Sequence, residues 1–248
     1  MKAFKSAKTL YLYLGSLVIF MIVGCGQSTT DPESANPYMQ YLTLKIDATT
    51  TLTVAVILPE CFEPSTAYPA LLALPPGFQS RQEVQWAIDK YYIRKSIQRK
   101  WIVISPIAPN GVTFHEGSEV FIPMLLDEVL SAYEIEGGKF HLAGISNGGI
   151  SAFRLAVLYP QRFESMTVFP GVPLEQDKPL LGQLAPIPVS MFVGENDDAD
   201  WVSEMDTTAQ ILEQNGVDVD FTIVPDEGHI IDALTPSVLF DLFDSRRP

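Results

Sequence analysis

The chain has 248 residues, of which 47% are hydrophobic and 10% aromatic, which suits one globular domain with a substantial core. Sixteen Lys and Arg against 30 Asp and Glu give a net charge of −14. Such a surface repels polyanions, so nucleic acid is excluded as a partner.

The first residues form a leader. Lys2, Lys5 and Lys8 make a positive n-region, and Leu10 to Val23 is an apolar run. The run is too short for an ordinary membrane span and reads as a signal peptide over residues 1–24. It closes on Ile22-Val23-Gly24-Cys25, which resembles a bacterial lipobox. That resemblance implies cleavage before Cys25, a lipid on its thiol and acylation of its amine, enough acyl chain for stable anchoring. Gly26 stands where the family's inner-membrane retention signal has Asp, which favours the outer membrane. Cys25 and Cys61 are the two cysteines. With Cys25 lipidated, Cys61 is left as a structural residue or a free thiol, and no intrachain disulfide is expected. Residues 25–37 then form the lipid-attachment site and a polar, turn-rich tether, and 38–248 the folded domain.

The domain opens on two β-branched runs, Tyr41–Asp47 and Thr51–Leu58, which predict a hairpin. Tyr68–Leu74 is a buried strand, followed by the loop Pro75-Pro76-Gly77-Phe78-Gln79. Ser80 caps a helix predicted from Arg81 to about Arg99. Trp101–Pro106 is a strand, Asn110–Ser118 a loop holding His115, and Glu119–Tyr133 a helix.

Phe140 to Ala143 then feeds Gly144-Ile145-Ser146-Asn147-Gly148-Gly149, and a helical pattern follows at once. A G-x-S-x-G motif between strand and helix is the setting of a nucleophile elbow, where the turn is too sharp for side chains two residues either side of the serine. Strand Met166–Phe169, loop Gly171–Ile187, strand Val189–Val193, helix Asp200–Gln214, strand Val217–Val224 and helix Leu234–Phe243 complete the chain. Strand and helix alternate after the hairpin. The expected fold class is therefore α/β, a mostly parallel sheet of about eight strands with helices on both faces.

Chemistry at Ser146 needs a base, an acid and two oxyanion donors. His229 lies just past the last strand in Glu227-Gly228-His229, where an imidazole reaches a serine at the strand ends. His141 sits inside the elbow strand and reads as a packing residue. The acid comes from the loop after Val189–Val193: Asp197 completes a Gly-x-x-Asp pattern, with Asp198 and Asp200 as rivals, one of which caps the next helix. The donors are the Asn147 amide, directly after the serine, and an amide of the Gly77-Phe78-Gln79 loop, Phe78 first and Gln79 next. Gln79, His115 and Trp201 are candidate substrate contacts, and Phe78, Trp201 and Ile230 candidate lining of an acyl or aryl pocket.

The order Ser146, Asp197, His229, together with Pro76-Gly77-Phe78, resembles the α/β-hydrolase superfamily over about Tyr41 to Phe243. Ala143–Phe163 is closest in character to small secreted serine esterases of the polyhydroxybutyrate-depolymerase and feruloyl-esterase type. Many such relatives carry His-Gly where this chain has Pro76-Gly77. Lidded relatives insert a cap where this chain has only Gly171–Ile187, so the resemblance implies no cap domain and an open site. It implies a Ser-His-Asp carboxylic-ester hydrolase working through an acyl-enzyme on a small or polymer-end ester. No cofactor or metal is expected, and the protein is expected to be a monomer that meets the membrane through its lipid alone, in the bacterial cell envelope with its domain outside the cytoplasm. A serine peptidase or thioesterase on the same fold, and a catalytically silent binding protein, are the alternatives.

Overall fold

The computed structural model describes residues 36–46 and 50–248. The leader, Cys25 and the tether as far as residue 35 lie outside the described residues. Eight strands form one sheet: β1 (Met39–Lys45), β2 (Thr51–Ile57), β3 (Ala70–Leu74), β4 (Ile102–Pro106), β5 (Phe140–Gly144), β6 (Phe163–Val168), β7 (Val189–Gly194) and β8 (Val219–Val224). Their spatial order is β1-β2-β4-β3-β5-β6-β7-β8. β1 and β2 form the antiparallel hairpin, β2 runs antiparallel to β4, and every later pairing is parallel.

Two side-chain layers cover the sheet. Along β3, Ala70, Leu72 and Leu74 enter one core while Leu71 and Ala73 enter the other, the period of two that a pleated strand imposes. The first core is closed by α3 (Ile122–Ala132), α4 (Asn147–Leu158) and α5 (Ala199–Gln214), through Leu125, Ala152 and Met205 among others. The second is closed by α1 (Arg81–Ala87), α2 (Ile93–Arg99) and α6 (Pro236–Ser245), through Val84, Ile97 and Phe240. All five residues of β3, β4 and β5 are buried, whereas the edge strands β1 and β8 alternate with solvent. This is the α/β-hydrolase fold, and among the described residues no cap domain interrupts it: the connection from β6 to β7 holds only a 3-10 turn, Lys178–Leu184, whose Leu181 and Leu184 are buried.

Several expectations are adjusted. The helix predicted over Arg81–Arg99 is split by a π-turn at Ile88–Tyr92, which turns Ile88, Tyr91 and Tyr92 inward together. β6 begins at Phe163, three residues before its predicted start, because Phe163 already pairs with Phe140.

Candidate active site

β5 lies between β3 and β6 and ends at Gly144. The chain then turns through Ser146, held at φ 56°, ψ −119°, and α4 begins at Asn147. A positive φ on a non-glycine residue is strained, and it persists here because the neighbours fix it. Ser146 N–H donates to the Pro170 carbonyl at 2.8 Å and Ile145 N–H to the Leu74 carbonyl at 3.2 Å. A Cβ at Gly144 would lie 2.1 Å from the Gly148 carbonyl oxygen, and one at Gly148 2.2 Å from that of Leu74. The two glycines are thus the condition for so tight a turn.

His229 Nε2 lies 2.9 Å from Ser146 Oγ, and its Nδ1 lies 3.0 Å from both carboxylate oxygens of Asp197. The Asp197 side chain is 3% exposed and that of His229 35%, so the carboxylate is shielded while the imidazole meets the opening. The rival acids fall elsewhere. Asp198 caps α5, its carboxylate accepting from Asp200 N–H at 3.0 Å, and Asp200 is exposed in the first turn of that helix. Trp201, read as a substrate contact, packs its ring against the imidazole at a centroid separation of 5.3 Å. Ile230 packs partly buried against the second core.

The loop carrying His229 is tied down by residues that sequence reasoning did not single out. Glu227 accepts the Asp232 and Ala233 amides at 2.8 Å each, and its carbonyl accepts Asn196 N–H at 2.8 Å. A Cβ at Gly194 would meet the Gly228 carbonyl at 2.3 Å, so the two loops run in contact. A carboxylate two residues from a histidine gives no recognisable spacing, which is why Glu227 stayed hidden.

The loop after β3 reaches the elbow directly. Asn147 Nδ2 donates to the Gly77 carbonyl at 2.9 Å. The Phe78 side chain is 74% exposed, and its amide donates to Glu83 Oε1 at 3.2 Å. Gln79 departs from its expected role as a substrate contact. Its side chain is fully buried and its φ is +57°. Nε2 donates to Ser151 Oγ at 2.9 Å, and Oε1 accepts Phe114 N–H at 2.8 Å. Its own amide donates to the Pro76 carbonyl at 3.2 Å, closing the turn. Gln79 therefore ties its own loop to Phe114 and to α4. His115 lies beside it, Nδ1 3.0 Å from Ser151 Oγ, with burial holding its pKa below the usual histidine range. Burial likewise pushes His141 down to about 4, where it packs on Trp101 and meets Ser165 Oγ at 2.7 Å, the packing role read from its strand position. Among the described residues, no group of three or more His, Cys, Asp or Glu side chains is arranged to hold a metal ion.

The family model Esterase ("Putative esterase") matches residues 48–229, which contain Ser146, Asp197 and His229. Solved structures share the fold at low identity. A thermostable esterase superposes with TM-score 0.67 at 16% identity, over 84% of this chain and 63% of its own. Dipeptidyl peptidase 4 of Porphyromonas gingivalis does so with TM-score 0.64 at 14% identity, over 84% of this chain and 35% of its own. An S-formylglutathione hydrolase from Agrobacterium tumefaciens gives TM-score 0.64 at 14% identity, over 84% of this chain and 94% of its own. The chain thus spans less than two thirds of the first two. No curated protein sequence matches it.

Proposed function

The chain belongs to the Esterase family, and from that premise we propose that it is a serine carboxylic-ester hydrolase using Ser146, His229 and Asp197. The observation that carries this reading is the unbroken relay from Asp197 through His229 to Ser146 Oγ, with contacts of 3.0 and 2.9 Å. Ser146 Oγ attacks the ester carbonyl carbon as His229 Nε2 takes its proton. Asp197 keeps the imidazole in the tautomer that leaves Nε2 free to accept, and stabilises the cation that forms. The Asn147 and Phe78 amides are the donors for the tetrahedral oxyanion. Collapse expels the alcohol with the proton from His229, leaving an acyl-Ser146 ester. Water, deprotonated by the same imidazole, then releases the acid and restores the serine.

Purified protein incubated with p-nitrophenyl acetate tests the proposal. Hydrolysis is expected, and Ser146→Ala is expected to lose nearly all of it, with a fluorophosphonate probe found by mass spectrometry on Ser146 in the parent only. Equal rates in parent and variant would sink the reading. The same relay cleaves thioesters, and the fold is shared with a peptidase, so a panel of ester, thioester and peptide substrates ranks the three. An intact relay weighs against a catalytically silent binding protein.

We further propose, from the leader alone, that Cys25 anchors the protein by lipid to the bacterial cell envelope, outer membrane favoured, with a monomeric domain outside the cytoplasm. The mass of the Cys25 peptide from membrane-fractionated cells decides, and an unmodified or disulfide-linked peptide would remove the anchor.

A further inference from the structure

The Gly77–Phe78 peptide carries one of the two oxyanion donors, and both its ends are engaged. Its carbonyl accepts from Asn147 Nδ2 at 2.9 Å, and its N–H donates to Glu83 Oε1 at 3.2 Å. In a trans peptide the carbonyl and the N–H point in opposite directions. Fixing the carbonyl on Asn147 therefore turns the N–H away from that side chain, towards α1. Glu83 is held there by a second bond, since its Oε2 accepts Ser80 N–H at 2.6 Å in a capping box. The fit is close: a Cβ at Gly77 would lie 2.2 Å from Glu83 Oε1. The neighbouring backbone is fixed as well, by the turn from Gln79 to Pro76 and the buried Gln79 amide.

We propose that Glu83 is a competitor for the Phe78 N–H, a carboxylate that occupies the oxyanion donor at rest and must swing aside as the tetrahedral intermediate forms. An oxyanion on the same N–H would sit close to the carboxylate, and like charges at short range in a partly shielded site repel strongly. The backbone is pinned by Asn147, so the Glu83 side chain is the part that moves. It is half-buried on the first turn of α1 and has solvent to move into. Its departure costs the bond to Phe78 while the transition state gains it, so Glu83 sets how much of the donor's strength appears in kcat. This rests on the Ser146 mechanism above.

Glu83→Gln removes the charge and keeps an acceptor for Ser80 N–H, and Glu83→Ala removes both. Each is assayed with p-nitrophenyl acetate and for inhibition by an aryl trifluoromethyl ketone, which forms an oxyanion on the serine. The expected result is a several-fold rise in kcat and an equal tightening of the ketone in Glu83→Gln, with KM little changed. Unchanged or reduced kcat and ketone affinity in Glu83→Gln would overturn the proposal, as would a loss in both variants, which marks Glu83 as a support for the loop. Should either variant fold poorly, the Phe78 amide resonance of the parent decides: it should shift on ketone binding, and an unmoved resonance overturns the idea. Fluorophosphonate labelling of Ser146 is read in every variant. Absent labelling in the parent speaks against the hydrolase mechanism itself, whereas labelling with indifferent Glu83 variants speaks only against this inference.

Discussion

Asp197, Asp198 and Asp200 differ little in sequence and completely in what they touch. Asp197 turns both oxygens to His229, while Asp198 turns its carboxylate to the start of α5. Asp197→Asn offers an N–H where the imidazole needs an acceptor, and selects the wrong tautomer. It should lower kcat by about 10³–10⁴-fold while leaving the fold intact. Asp198→Asn keeps a capping oxygen and should change kcat by less than about twofold, at a stability cost below about 1 kcal/mol. Steady-state kinetics on the two variants check this, and a large loss in Asp198→Asn would reverse the roles. The sequence made Ser146, Asp197 and His229 legible as a group because strand-end loops and glycine spacing leave a local signature. Gln79 carried no such mark. Its burial and its bonds to a loop and to α4 exist only once Phe114 and Ser151 have been brought beside it, so a polar residue next to the candidate donor read as a ligand contact. Glu83 was visible only as an ordinary residue of a helix's first turn.

Strands and helices were legible wherever hydrophobic period was strong, and their ends shifted where pairing or turn geometry overruled it. β6 starts early because a parallel partner is present at Phe140, and the helix after Ser80 is broken by a π-turn that no periodicity announces. The pairing of β5 with β6 also encloses His141 against Ser165 and Trp101. Its pKa is pushed down to about 4 by burial, against an unfolded value near 6.5. Between those values the unfolded chain binds the extra proton and the folded one does not. Stability should therefore fall as pH drops from about 6.5 to about 4, by a total on the order of 3 kcal/mol. Urea melts of parent and His141→Gln across that range test it. The variant's stability should change less with pH, and parallel curves would show that His141 is not the group responsible.

At the scale of the whole molecule, separate loops are fastened to the elbow helix from behind. Arg154 on α4 pairs with the fully buried Asp177 from the β6–β7 connection and with Glu119, which in turn accepts Gly117 N–H. Removing the cation leaves buried carboxylates without compensation, so Arg154→Met should destabilise by about 3–5 kcal/mol. Urea unfolding measures this, and a cost under 1 kcal/mol would mean that the ion pairs add nothing to cohesion. The network was not legible in sequence, because its three members lie far apart in the chain and only the parallel order of β5, β6 and β7 collects them.

The register of the sheet has a directional consequence. Met39 pairs with Ile57 and Ile57 with Val103, so β1 starts beside the beginning of β4, at the end of the sheet opposite the strand ends that bear Ser146 and His229. At the other terminus Arg247 pairs with Glu136, just ahead of β5, at that same far end. Both ends of the described chain therefore leave from the pole away from the opening. A surface, tag or fused protein joined at either end would hold the domain by its base, with the mouth of the site turned outward to whatever diffuses past.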